Sequence, residues 1–161
     1  MTRSRTLIGL CSALFVLASI VFAGEKPWLD FEHCDMCKNF MTNPDLVTGM
    51  KCETHNIATG FVSVTTVKPE LLAALRDASA KCDELGKRLM AGEKANLCGS
   101  CEAMSMLMAK GAKLEEIPLE NGSVMLLTST DPMVIDEIHK WTDKTNEEMK
   151  KMMPDQSMEE E

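Results

Sequence analysis

Four of the chain's seven cysteines form two pairs with identical spacing, Cys34-Asp35-Met36-Cys37 and Cys98-Gly99-Ser100-Cys101. Two thiols three positions apart fall within one helical turn. Each pair can therefore share a metal ion, close a local disulfide or carry out thiol exchange. If the pairs meet, four thiolates complete a tetrahedral site, and the soft ligand set suits zinc or copper(I). The 60 residues between Cys37 and Cys98 set this apart from a compact zinc ribbon, so the fold decides whether the pairs come together.

Metal binding by Cys34, Cys37, Cys98 and Cys101 is the leading expectation. No thioredoxin-like βαβ pattern precedes either pair. The alternative is a thiol-disulfide oxidoreductase in which Cys34 or Cys98 attacks and its partner resolves, since a helix start favours the thiolate. A third reading is a structural or interaction module held by disulfides. No Ser-His-Asp order, phosphate loop or isolated carboxylate pair supports a hydrolase.

Further ligand candidates are weaker. His33 directly precedes Cys34, and His55 stands three residues after Cys52. On a strand, however, Cys52 and His55 point to opposite faces. Met36 lies inside the first pair, while Met104 and Met108 continue the helical face of Cys101. A thioether beside thiolates would favour copper(I), although methionines at helical spacing ordinarily fill a core. Cys52 and Cys82 lack counterparts in the other half of the chain and could pair with each other. His139 sits off the apolar stripe of its helix, as a surface residue would.

The elements that must position these groups recur in order. Each pair is followed by a short apolar segment, a strand, a Gly turn, a second strand and a Pro-started helix. Matching positions are offset by 64 at the cysteines, 62 at the first strands and 63 at the helix starts, drifts that loop insertions leave in a duplicated unit. In the first unit, Phe31, Cys34, Cys37 and Met41 suggest one helical face, ended by Asn43-Pro44-Asp45 before a further turn. Strands are expected at Lys51–Ile57 and Phe61–Val67, then at Lys113–Leu119 and Ser123–Thr130, the second hairpin turning through Asn121-Gly122. Val124 and Leu126 alternate with Met125 and Leu127, which suits a strand covered on both faces.

Two long helices complete the units. Leu71, Leu75, Ala78, Cys82, Leu85 and Leu89 line the first; Val134, Ile138, Trp141, Thr145, Met149 and Met152 line the second. Pro69 and Pro132 start them, with Asp131 a competent N-cap, and Gly92 and Pro154 stop them. The expected fold is α+β: a duplicated α-β-β-α unit whose hairpins merge into one four-stranded antiparallel sheet with the helices packed against it. A lone hairpin is marginal, so residues 24–153 are expected to form a single domain of two repeats, 31–91 and 97–153.

At the N-terminus, Arg3 and Arg5 precede an apolar run from Leu7 to Phe22, with Ala23 at a plausible cleavage point. Residues 1–23 therefore read as a signal peptide, and the protein as exported, to a periplasmic or extracellular space, without a permanent membrane anchor after cleavage. Residues 154–161 read as a disordered acidic tail. The chain carries a net charge of −8, which excludes the basic surface that a nucleic-acid binder needs. A metal ion is the expected partner, and no feature names a protein partner.

Overall fold

A computed structural model describes residues 26–152, and the expected signal peptide at 1–23 and expected acidic tail at 154–161 lie outside them. The architecture is α+β. Strands β1 (Lys51–Ile57), β2 (Gly60–Thr66), β3 (Lys113–Leu119) and β4 (Gly122–Thr128) form one antiparallel sheet in the order β1-β2-β4-β3. Helices α1 (Pro44–Gly49), α2 (Leu72–Met90), α3 (Gly99–Ala109) and α4 (Pro132–Met152) complete the chain.

The two hairpins join through β2 and β4, and this seam carries the symmetry of the repeat. Gly60 of β2 faces Thr128, and Gly122 of β4 faces Thr66. Beyond the strand ends, the Val67 amide donates to Asn121 O at 2.9 Å, and the Ser129 amide donates to Thr59 O at 2.8 Å. Both glycines are required by close approach. A Cβ on Gly60 would lie 1.9 Å from Leu127 O, and one on Gly122 would lie 1.8 Å from Thr65 O.

Each long helix buries its apolar stripe in a core of its own repeat. In the first, Leu46, Val67, Leu71, Leu75 and Ala78 pack with Phe40 and Met50. In the second, Phe61, Leu107, Leu127, Val134 and Ile138 pack with Met104 and Trp141. Among the described residues of these two cores only Phe61 crosses over, stacking on Trp141 with ring centroids 5.2 Å apart. Fully burying side chains of this size stabilises the fold by roughly 1.5–3 kcal/mol each. Pro132 opens α4 as expected, and the Asp131 carboxylate accepts from the Met133 amide.

Polar contacts hold α4 across β1. His139 Nε2 lies 2.9 Å from Ile57 O, the Asn146 amide donates to Thr54 O, and the Asn56 amide donates to Asp143. His139 is thus half-buried and tied to the sheet rather than a plain surface residue. The first expected helix is also corrected. Phe31 to Met36 form turns, and a 3-10 segment spans Cys37–Thr42. Asn43 then caps α1 through its side chain, which is why the chain restarts at Pro44 instead of continuing one helix. The expectation that β4 is covered on both faces also fails. Among the described residues, the cores contain Phe61, Leu127 and Met125 but none of Val62, Val64, Val124 or Leu126, which alternate onto the opposite face.

Candidate metal centre

The two cysteine pairs meet between the repeats. All four sulfurs lie within 4.8 Å of one another, and around them pack Phe31, Met36 and Leu97. Cys37 Sγ is 3.7 Å from Cys98 Sγ and 3.5 Å from Cys101 Sγ. These are non-bonded separations, and all six described cysteines are free thiols. A zinc–sulfur bond of about 2.3 Å sets tetrahedron edges of about 3.8 Å, so an ion fits among these sulfurs with small shifts.

Both loops turn alike. The Lys38 amide donates to Cys34 O and the Glu102 amide to Cys98 O, each at 3.0 Å, and the first cysteine of each pair is buried. Cys98 caps α3, whose first free amides are taken up by the lead-in segment: Gly99 donates to Pro27 O and Ser100 to Trp28 O. The Trp28 indole donates to Thr145 Oγ1, and the Trp141 indole to Ser100 O. The start of α3 is thereby fixed against α4.

The first loop is clasped to the second. Asp35 and Asn96 exchange two hydrogen bonds, Asp35 amide to Asn96 O and Asn96 amide to the Asp35 carboxylate, both at 2.7 Å. The Asn96 side chain also donates to His33 O. Asn39 closes the loop from below through the carbonyls of Asp35 and Met36, while Cys82 of α2 donates to Met36 O. Asp35, Asn39 and Asn96 are positioning residues that the sequence reading did not single out. Their only sequence signal is place, inside a cysteine pair or within two residues of one.

Electrostatics divide the four thiols. Hydrogen bonds from the Cys101 and Cys37 thiols, with help from the Cys101 amide, hold the Cys98 thiol far below its ordinary value despite burial. The Cys37 and Cys98 sulfurs and burial push Cys101 far up. Cys37 is lowered by Cys101, but Cys98 and burial outweigh this and raise it. A Cys98 sulfur that favours the thiolate beside Cys37 and Cys101 thiols that hold their protons is the arrangement that a cation replaces, taking the place of the shared protons.

The weaker candidates lie elsewhere. The exposed His33 ring sits 3.2 Å from both carboxylate oxygens of Asp30. His55 is exposed on β1, paired with Val62. Met104 packs in the Phe61 core, whereas Met36 does border the cysteines. Cys52 and Cys82 do not pair: the exposed Cys52 contacts Ser63 and Thr65 beside β1, while Cys82 faces Met36 and Asn39. Comparison with protein-family models, curated proteins and solved structures finds no match to this chain.

Proposed function

We propose that this is an exported metal-binding protein that holds one zinc ion through Cys34, Cys37, Cys98 and Cys101. The observation that carries the reading is the convergence of four free sulfurs within 4.8 Å. Four thiolates in a tetrahedral arrangement suit zinc better than copper(I), and Met104, which would have enriched the set in thioether, is engaged in the core. With all four positions filled by protein, the site is a closed, structural one with no open position for a substrate.

Burial weighs against the oxidoreductase alternative. Cys34 and Cys98, the first cysteine of each pair, are 1% and 2% exposed, whereas an attacking thiolate must reach a partner's disulfide. Export is supported by Arg3, Arg5 and the apolar run that follows. In an oxidising compartment, a bound ion would keep these thiols from forming disulfides.

The test is metal analysis of protein purified under reducing conditions, with cobalt(II) titration as a spectroscopic probe. The expected result is one zinc per chain and a thiolate-to-cobalt absorption band, both lost in Cys34→Ser and Cys98→Ser. Protein that retains no metal and gives no such band overturns the proposal.

A further inference from the structure

The helices cover one face of the sheet, and the other is more apolar than an exposed face requires. On that face β2 and β4 present Val62, Val64, Val124 and Leu126, and the edge strands add Ile57, Ile117 and Leu119. Ile117 is 49% exposed. The covered face holds polar Ser63, Thr65 and Ser123 on the same two strands, beside Phe61, Met125 and Leu127. An antiparallel sheet with one wet face ordinarily shows the reverse pattern. We propose that this open face is the contact surface for a second copy of the chain, giving a face-to-face homodimer.

The charges on the rim argue for a copy of the chain itself. The repeat places like residues at diagonal positions: Lys51 with Lys113, and Glu53 with Glu115. A two-fold axis in the sheet plane and across the strands sets Glu53 against the partner copy's His55 and Val64 against its Val62. It also sets Val124 against Leu126, and each Lys against Leu119 or Ile57. An axis along the strands instead sets His55 against Glu115 and Val64 against Val124. In both arrangements valines meet aliphatic side chains, His55 meets one glutamate, Ile117 meets the other, and no like charges face each other, as an isologous contact requires.

Area sets the strength. Four strands at about 4.8 Å spacing and seven residues at about 3.3 Å give a flat face of roughly 440 Å². A standard interface takes roughly 800 Å² from each partner. The face is small for a permanent interface, so the dimer should be reversible and concentration-dependent.

Sedimentation velocity from micromolar to millimolar concentration tests this, on the full chain and on the chain beginning at Gly24. The wild-type protein should pass from monomer to dimer in both forms. Val124→Glu and Ile117→Glu place a charge on the open face and should raise the dissociation constant at least tenfold, with circular dichroism reporting the fold. Should Val124→Glu unfold, Ile117→Glu carries the test, because that side chain is already half exposed. A wild-type monomer at the highest concentration overturns the proposal. So do folded variants that dimerise like wild type, or a dimer that disappears when residues 1–23 are removed.

Discussion

Removing zinc should lower the melting temperature by an amount that the site geometry sets. Ligands come two from each repeat, so an intact four-sulfur site exists only in the folded chain and binding adds to folding stability. Structural zinc sites bind with about 10 kcal/mol or more, a dissociation constant of at most tens of nanomolar. Free zinc at tens of micromolar is then roughly a thousandfold excess, contributing about 4.1 kcal/mol. The described residues number 127, and at roughly 2.1 cal/mol/K per residue their unfolding entropy is about 0.27 kcal/mol/K. The melting temperature should rise by about 15 °C over the metal-free reduced protein, and by about 5 °C for each further tenfold in zinc. Circular dichroism melts in buffered zinc under reducing conditions measure this. Cys98→Ser should abolish the zinc-dependent shift, while Cys82→Ser, which alters no ligand, should keep it. A melting temperature indifferent to zinc, or a full shift in Cys98→Ser, refutes the reasoning.

Two further outcomes follow from the groups around the site. Asp35→Ala breaks the clasp to Asn96 and should weaken zinc binding by roughly tenfold, read by competition with a chelator. The Lys38 ammonium and Asn96 amide hold the Asp35 carboxyl below its ordinary 3.8. Its contribution to stability is thus complete above that value and lost as pH falls through the lower folded value; in metal-free protein, the wild-type advantage over Asp35→Ala should vanish there. Burial pushes the Cys82 thiol up to about 11, leaving about one molecule in a thousand as thiolate at pH 8. Iodoacetamide on the zinc-loaded protein should therefore label exposed Cys52 well before Cys82, with mass spectrometry as readout; equal rates would show that α2 does not shield Cys82.

The sheet was legible because its signals are local and duplicated. Asn121-Gly122 and Thr59-Gly60 each sit between runs suited to strands, so β1 and β3 fall where expected, and β2 and β4 start one residue earlier, at the turn glycines. The short elements were harder. The spacing of Phe31, Cys34, Cys37 and Met41 fits a helix, yet tertiary bonds from Asn96 and Cys82 hold that stretch in turns and a 3-10 segment. The approach of the two cysteine pairs could not be read at all, since either placement of the symmetry axis satisfies the sequence. It depends on the lead-in, where Pro27 and Trp28 carbonyls cap α3, and on the clasp between residues 35 and 96.

The thiol cluster does what neither apolar core does. The core around Leu75 draws on the first repeat alone, and the core around Ile138 draws on the second with Phe61 as its one visitor. What joins the repeats is the β2–β4 seam, the polar contacts of α4 with β1, and, at the loops, the Asp35–Asn96 clasp and the four cysteines. A seam of backbone hydrogen bonds fixes register but permits hinging between the layers packed on it. Four sulfurs on one ion do not, because each repeat supplies two of the ligands. Zinc would therefore act on the relative placement of the repeats more than on either core. The same logic explains why the positioning residues Asp35 and Asn96 lie in different repeats: they bring the loops to ligand distance before an ion arrives, so that binding does not have to assemble the site from separated parts.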